Sequence, residues 1–248
     1  DSYNTAVGHN AGVAVTTGIK NTLIGSLAGD ALTDADENVA VGFFALGDDT
    51  LGSKSVAVGF AALENQNFTT ATDSFNVAVG ASAGASVTTG FNNTFIGGKA
   101  GDAITSGDNN VAVGVNALTA DTLGDRNVAI GAAALASQNF TTSTDVYNVG
   151  VGYLAGYAVT TGASNTLIGG LAGDAITTGG NNVAMGLNSL GSNTGAFSNV
   201  AIGVRALEDF NVTTATSTYN VAVGEDAGRD VTTGVRNTLI GALAGDAI

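Results

Sequence analysis

Short segments that alternate β-branched and small residues recur along the whole chain, and each ends at a glycine. In Val111–Val113, two valines flank an alanine, directly after Asn110 and directly before Gly114. Period-two alternation of β-branched residues is typical of a short strand. Glycines that recur every few residues would each cost roughly 1 kcal/mol inside a helix. The pattern therefore predicts strands and disfavours helix.

The alternating segments open fourteen repeat units, spaced 17, 17, 17 and 21 residues apart in a cycle of 72 residues. Every unit has glycine as its fifth residue, and every unit except the one with Ser189 has alanine as its eighth. The units begin at Asn4, Asn21, Asn38, Ser55, Asn76, Asn93, Asn110, Asn127, Asn148, Asn165, Asn182, Asn199, Asn220 and Asn237.

Repetition at a fixed period predicts an all-β, parallel β-solenoid (a β-roll), with one coil per unit. Within a coil we expect the opening strand and a second, weaker strand, such as residues 175–179. Residues 1–248 then form a single continuous solenoid segment. Its super-repeats are 4–75, 76–147, 148–219 and the partial 220–248.

The opening asparagine and the fifth-position glycine are predicted to be structural. Stacked coils place equivalent residues ~4.8 Å apart, so the asparagine amides can hydrogen-bond along the stack as a ladder. An amide row that binds a ligand is the alternative. The glycine indicates a positive φ or a close backbone approach. The predicted ladder and turn residues include Asn93, Gly97, Asn110, Gly114, Asn165, Gly169, Asn182 and Gly186.

Residue sizes compensate within each block of 72 residues. The residue after the recurring alanine cycles Gly, Gly, Leu, Leu, as at Gly84, Gly101, Leu118 and Leu135. The second coil of each block has a large residue in the middle of its strand, as at Phe95. Volume gained at one position is matched by volume lost at another, which is the pattern of a packed core.

Composition and charge exclude several classes of protein. Of 248 residues, 37 are glycine, none is proline, cysteine or tryptophan, and 44% are hydrophobic. Glycine without a three-residue period excludes collagen, and the hydrophobic content argues against disorder. The net charge of −14 disfavours nucleic acid and anionic membrane surfaces as partners.

Targeting and anchoring signals are also missing from the sequence. Without cysteine there are no disulfides and no thiolate metal sites. No apolar run reaches the ~18 residues of a membrane helix, so no membrane insertion is expected. The chain has no signal peptide and stops in the middle of a repeat, so we expect it to be a segment of a longer protein.

The repeat resembles those of two groups of fibrous proteins. The segments "NVAIGAAALASQN" (127–139) and "NTAVGHNAG" (4–12) are similar to the head repeats of YadA-like trimeric autotransporter adhesins and to the shaft repeats of bacteriophage tail fibres. The resemblance covers the whole chain, although the adhesin repeat is typically shorter than the units here. It implies a left-handed β-roll wound as a homotrimer, with inner strands facing the common axis.

The function that this resemblance implies is structural. We expect a fibre or adhesin shaft, a rigid extended trimeric stalk for attachment to a host or surface, located outside the cell or on a virion tail. The thin core of small residues supports the homotrimer, because a narrow roll must cover its second apolar face. A monomeric, three-sided left-handed β-helix is the alternative.

The 21-residue units carry insertions that are candidate binding loops, at 63–76, 135–148 and 207–220. Loops on solenoids are common binding positions, and aromatic rings beside Asn and Thr can stack on sugars. The predicted contacts for a host-surface glycan or protein receptor are Asn67, Phe68, Phe75, Asn139, Phe140, Tyr147, Phe210 and Tyr219. The alternative is a bracing loop. The Asn-x-Thr sequons in these loops are expected to be incidental.

The acidic residues are expected to be exposed and to hold no metal. Asp30 opens a series with a period of 72 residues, and other acids, such as Asp49, Asp108 and Asp125, are scattered along the chain. Calcium is the one cofactor to weigh, because it takes several oxygens from one loop. The G-G-x-G-x-D repeat of calcium-binding rolls is absent, so no cofactor is expected.

Catalysis is not expected either. His9 is the only histidine, so a histidine-based triad has a single place to form. Glu64, Glu208 and Asp209 offer the carboxylates of a polysaccharide-degrading tailspike, but the middle insertion has Ala136 where the others have Glu. An enzyme is the least favoured interpretation.

Threonine pairs raise ice binding as an alternative function, together with glycan binding. Pairs stand at 16–17, 88–89, 160–161 and 232–233. Ice-binding solenoids need a threonine array on every coil of one flat face, and the coil with Asp121, Thr122 and Leu123 interrupts the pairs.

Overall fold

The computed structural model describes residues 2–246, which form short strands and turns with no helix. The chain divides into two compact units. The first comprises Asp1–Arg126 with Thr141–Thr144, and the second comprises Asn127–Phe140 with Asp145–Ile248. Each unit is a parallel β-solenoid of seven turns. The predicted fold class is therefore confirmed.

Two kinds of strand occur in both units, three-residue main strands and two-residue minor strands. Up to residue 126 the strands are β1 Thr5–Val7, β2 Thr22–Ile24, β3 Val39–Val41, β4 Gly52–Ser53, β5 Val56–Val58, β6 Thr72–Asp73, β7 Val77–Val79, β8 Thr94–Ile96, β9 Val111–Val113 and β10 Gly124–Asp125. From residue 127 they are β11 Val128–Ile130, β12 Thr144–Asp145, β13 Val149–Val151, β14 Thr166–Ile168, β15 Val183–Met185, β16 Ala196–Phe197, β17 Val200–Ile202, β18 Thr216–Ser217, β19 Val221–Val223 and β20 Thr238–Ile240.

The main strands stack in strict parallel register within each unit. Ala78 of β7 pairs with Phe95 of β8, 17 residues later. Across a 21-residue coil the register holds as well, since Ala57 of β5 pairs with Ala78. The four extra residues are therefore absorbed outside the main sheet, which is why the sequence motif survives them.

The predicted second strand is absent from the first two 17-residue coils of each super-repeat, so the prediction is wrong for those coils. Residues 175–179 form a bend. The backbone N–H groups of Thr177, Thr178 and Gly179 all donate to one carbonyl, that of Thr194. Three donors converging on one acceptor give a tight corner rather than an even ladder. Among the described residues, short second strands occur in each 21-residue coil and in the 17-residue coil before it, as in the pairs β4–β6 and β16–β18.

The core of each coil is one side chain thick. Counting coil positions from the opening residue, position 3 in the middle of the main strand is fully buried, as at Ala78 and Phe95. The alanine at position 8 and the leucine at position 9 are also buried, as at Ala117 and Leu118. With so few atoms across the core, each position is sensitive to the size of its neighbours.

The Gly, Gly, Leu, Leu cycle at position 9 follows from this thin core. A Cβ on Gly101 would lie 2.4 Å from Cε1 of Phe95, and one on Gly84 would lie 2.8 Å from Cδ2 of the same ring. A large residue at position 3 thus requires glycine at position 9 of its own coil and at position 9 of the coil before. Where position 3 is alanine, leucine fills the space, as at Leu118.

The glycine at position 5 has a different cause, which is backbone approach. Gly97 has φ +132°, and a Cβ there would lie 2.6 Å from the carbonyl oxygen of Gly114 in the next coil. Gly169 has φ +134° and would meet Gly186 at 2.5 Å. No side chain fits between the stacked corners, so the glycine recurs in every coil.

Candidate functional site

The asparagine at position 1 ties each coil to the next through its side chain. The Asn93 side-chain oxygen accepts the backbone N–H of Asn110 at 2.9 Å, and its amide donates to the Gly107 carbonyl of its own coil at 2.9 Å. Direct bonds between side chains also occur, as from Asn182 to Asn165 at 3.1 Å. These buried amides are used within the fold and leave no row facing a ligand.

Three aromatic residues of the predicted binding loops are exposed. Phe75, Tyr147 and Tyr219 end their insertions with 52%, 52% and 55% of their surface accessible. All three have left-handed backbone, with φ between +50° and +56°. The Lys54 ammonium lies 5.3 Å from the ring centroid of Phe75. These rings are the part of the candidate site that a ligand can reach.

Two other predicted contacts are buried, and their assignment to a binding surface is wrong. Phe68 is 6% exposed and Phe210 is 0% exposed. Asn67 is half-buried, and its side-chain oxygen accepts the Thr50 hydroxyl at 3.1 Å. Phe140 is half-buried and Asn139 is exposed. The first aromatic residue of the insertion therefore packs toward the core, and only its last aromatic residue is exposed.

Beneath the first insertion lies a buried polar network that the sequence did not reveal. The Gln66 amide donates to the carboxylate of Asp49 at 2.6 Å and to the Ser55 hydroxyl at 2.9 Å, and its oxygen accepts the Asn76 amide at 2.9 Å. Ser55 also bonds to the Ser74 hydroxyl at 2.5 Å. The only signal for this network was the serine at position 1 of this coil, where the other coils have asparagine.

The expectation that the acids are exposed is wrong for Asp49, Asp108 and Asp125. Asp49 is 0% exposed, and its carboxylate accepts the backbone N–H groups of Gly52 and Phe68, both at 3.0 Å. Burial raises the pKa of Asp49. Asp125 is 9% exposed and accepts the N–H of Asp108, and burial raises the pKa of Asp108.

Asp30 has a buried carboxylate oxygen without a hydrogen-bond partner. Burial raises the pKa of this carboxyl group, and the nearby charge of Asp48 adds to the shift. Its counterpart Asp102 receives the Thr119 hydroxyl at 2.5 Å from the next coil, where the first block has Gly47 instead.

The remaining charges lie mostly in ion pairs between successive coils. Lys20 contacts Glu37 at 2.9 Å and Lys54 contacts Asp73 at 2.5 Å. The Arg205 guanidinium binds Asp226 through two bonds of 2.7 Å. The hydrogen bond from Arg205 lowers the pKa of the Asp226 carboxyl group. These pairs bridge neighbouring coils at exposed corners and gather around no common cavity.

The residues considered for catalysis or metal binding are not brought together. Within residues 2–246, no cluster of three or more His, Cys, Asp or Glu side chains is placed to hold a metal ion. Glu208 lies 3.5 Å from Arg229 and accepts the Asn188 amide. His9 is exposed near the start of the first unit. No helix in the described part of the chain is long and apolar enough to cross a membrane.

The threonines form single columns that run through three successive coils and stop at an asparagine in each 21-residue coil, rather than a double array. The Thr88 hydroxyl donates to the Thr105 carbonyl, and the Thr105 hydroxyl donates to the Thr122 carbonyl, both at 3.1 Å. The second column consists of Thr89, Ser106 and Leu123 in successive coils. It has no hydroxyl at Leu123. The first-column hydroxyls thus donate to the backbone of the next coil.

The outward side of the main sheet is the largest feature without a partner. Positions 2 and 4 point away from the buried position 3, and none of them is Asp, Glu, Lys or Arg in any coil. Position 6, which borders them, is charged only at Glu225. We call positions 2 and 4, together with position 6 where it is uncharged, the charge-free face of a unit. Exposed members of position 4 are Val7, Ile24, Val79, Ile96, Ile130, Met185 and Ile240.

Comparison of the chain with protein-family models, with curated proteins and with solved structures finds no match. The fold by itself defines the class, a parallel β-solenoid repeat protein. Nothing in the comparisons bears on the adhesin and tail-fibre resemblance, so function must be argued from the geometry.

Proposed function

We propose that this chain is a structural segment of an extended fibre, a stalk in which identical chains associate through their charge-free faces. The observation that carries the proposal is the distribution of charge. The chain has 28 charged residues, 21 acidic and 7 basic, yet positions 2 and 4 have none in fourteen coils. A face that stays uncharged over so many repeats, with valine, isoleucine or methionine at every position 4, indicates cover by another apolar surface.

The size of this face fits association between chains. Seven strands at ~4.8 Å and five residues at ~3.3 Å give each unit on the order of 500 Å². That equals the largest apolar patch of an ordinary monomer, roughly 300–600 Å². Each unit alone thus supplies more than half of the ~800 Å² that one partner contributes to a standard-size interface.

Three chains are the proposed number, because the thin core and the adhesin-like repeat both favour a homotrimer. The work of such a fibre is reach, stiffness and attachment, outside the cell or on a virion. The repetition of the surface supports this assignment, since a catalyst needs one distinctive site and a shaft needs a uniform one.

Native mass measurement tests the proposal directly, and three chains per particle are expected. Ile96→Lys should shift the particle toward monomer, because Ile96 is 41% exposed on the charge-free face and an unpaired charge there would be buried on association. Thr89→Lys is the matched control, since Thr89 is exposed at position 14, off this face. A wild-type chain that stays monomeric would favour the three-sided β-helix instead.

Glycan binding is the second candidate, favoured by the three exposed rings that end the insertions. Replacing Phe75, Tyr147 and Tyr219 together by alanine should abolish binding on a glycan array and leave the native mass unchanged. Because stacking on a sugar needs the ring itself, Tyr→Phe at both tyrosine positions should retain binding. An array without any wild-type signal would remove this candidate.

A further inference from the structure

The three complete super-repeats act as internal controls for one another. A feature that recurs every 72 residues serves the coil, whereas an exposed feature that occurs once needs another reason. Phe43 and Phe60, both at position 6, are such a feature. One super-repeat later the same positions hold Val115 and Ala132, and those coils fold in the same way.

Phe43 and Phe60 lie on adjacent coils with their rings stacked on each other. We call this stacked pair the aromatic platform. Their ring centroids are 5.7 Å apart with an interplanar angle of 10°, and Phe44 lies 6.2 Å from Phe43. Phe43 is 48% exposed and Phe60 is 59% exposed. The core of these coils is already filled at position 3 by Ala40 and Ala57, both fully buried. The platform therefore contributes to a surface rather than to the interior.

The platform lies at the edge of the charge-free face. If chains associate through this face, more than one alignment between them is possible. The face repeats every 72 residues, so one chain can slide along another by one super-repeat and still set strand against strand. Apolar contact is non-directional, so over the coils that overlap it does not distinguish the two alignments. A distinctive group at one level of the face would distinguish them.

We propose that Phe43 and Phe60 set the register in which copies of this chain associate, side by side and in parallel. This inference rests on the self-association proposed above. In register, the platforms of neighbouring copies meet at one level, where aromatic pairs gain more than their buried area alone provides. Shifted by one super-repeat, Phe43 faces Val115 of its neighbour and the aromatic pair at that level is lost.

A second copy fits this surface better than an unrelated partner. The face offers no charge for recognition, and its apolar rows have the period of the chain itself. Only a surface with the same period matches it over several coils. The partner is therefore another copy of this chain, and the platform marks the level at which the two align.

Cysteine cross-linking reads the register, because the chain has no cysteine of its own. Val41→Cys in β3 and Val113→Cys in β9 lie at position 4, one super-repeat apart, and both are half-buried on the outward side. Chains with either substitution, carrying different tags, are mixed during refolding and oxidised. Aligned copies give 41–41 and 113–113 cross-links, and copies shifted by one super-repeat give 41–113 cross-links.

The wild-type background should give mainly aligned cross-links. Phe43→Val with Phe60→Ala installs the residues of the second super-repeat and should raise the 41–113 fraction roughly threefold to tenfold, which is what one aromatic pair contributes. The matched control is Phe75→Ala with Phe91→Val. It removes two exposed phenylalanines of the same unit that lie off the charge-free face, and it should leave the ratio unchanged.

The outcomes separate the two proposals. If neither kind of cross-link forms and the native mass is that of one chain, the self-association fails and the register inference fails with it. If aligned cross-links form equally in the wild type and in the Phe43, Phe60 variant, only the register inference is overturned. A 41–113 fraction that is already high in the wild type also overturns it.

Discussion

Asp49 and its counterparts in the next two super-repeats, Asp121 and Asn193, occupy the same fully buried position with different charges. Asp49 accepts the N–H of Gly52 three residues on, and the Asn193 side chain accepts that of Ala196 in the same way. The backbone bond is therefore kept when the charge is lost. What changes is the neighbour in the next coil, which is Gln66 in the first block and the buried Phe210 in the third.

This coupling predicts that Asp49→Asn alone destabilises the fold by about 1–3 kcal/mol. The new amide would face the Gln66 amide, donor against donor. Adding Gln66→Phe and Phe68→Val installs the third block's arrangement, where residue 212 is valine, and should recover most of the loss. Thermal melts at neutral pH measure both variants. Equal melting temperatures for the single and triple variants would show that the pair is not coupled.

The difference in stability between the wild type and the triple variant has a defined pH dependence. Because burial raises the pKa of Asp49 above its ordinary value of 3.8, the folded state binds a proton more readily than the unfolded state. The stability of the wild type relative to the triple variant should therefore rise as pH falls through the raised pKa, and level off below 3.8. The other acids with raised pKa are common to both proteins and cancel. A difference that is constant with pH would contradict this.

The glycine at position 5 predicts a second effect at the scale of the residue. Gly97→Val should destabilise by at least ~1–3 kcal/mol, because it adds backbone strain to a Cβ placed 2.6 Å from the Gly114 carbonyl oxygen. Gly169→Val should behave alike in the second unit. Asp48→Ala is the appropriate control, since Asp48 is exposed and exposed charges contribute little. Chemical denaturation of the variants decides it, and equal midpoints would refute the assigned role.

At the scale of the element, the coil is a unit whose parts must match in size. Its main strand has only three residues, so a large side chain at position 3 leaves no adjacent strand residue to adjust. The adjustment falls instead on position 9 of the same coil and of the coil before. One large residue thus occupies two successive coils of the block with its two glycines, and the other two coils have leucine at position 9.

A double-mutant cycle on Phe95 and Gly101 tests this matching. Phe95→Ala should cost about 3–5 kcal/mol as a cavity, and Gly101→Leu should cost at least ~1–3 kcal/mol by overpacking. Together they install the pair found in the next coil, Ala112 with Leu118, so the double variant should be more stable than the sum of the two losses. Additive losses in urea denaturation would mean that the two positions do not share one space.

At the scale of the whole molecule, charge is divided between faces. The acidic excess sits on corners and loops and keeps the chains soluble, while the outward side of each main sheet carries none. This division permits close association through one face of a chain whose net charge is −14. The long-range repulsion between such chains is screened by salt.

Association of the chains should therefore strengthen with salt. Raising sodium chloride from about 0.05 M to 0.5 M shortens the Debye length severalfold, which weakens the repulsion between acidic chains and leaves the apolar contacts intact. Sedimentation equilibrium at both concentrations measures the change. Dissociation at high salt would show that ion pairs, rather than the charge-free face, hold the chains together.

The sequence by itself determined the solenoid, the coil boundaries and the register of the main strands. Each of these depends on a signal that repeats with the backbone period, such as the asparagine of position 1 and the glycine of position 5. The size compensation around Phe95 was readable for the same reason. Local chemistry was sufficient there, because a residue in a stack of coils contacts the equivalent residue of the next coil.

Only the tertiary structure decided where single side chains go and which backbone is left-handed. Phe68 and Phe75 stand in the same insertion, yet one is core and the other is exposed, because burial depends on the neighbouring coil. Phe44 and Leu171, at position 7, have φ of +55° and +58°, although neither residue type favours that conformation. The stacking of coils imposes this backbone on whatever residue stands there. The burial of Asp49 could not be predicted for the same reason, since two of its hydrogen-bond donors, Gln66 and Phe68, lie one coil away.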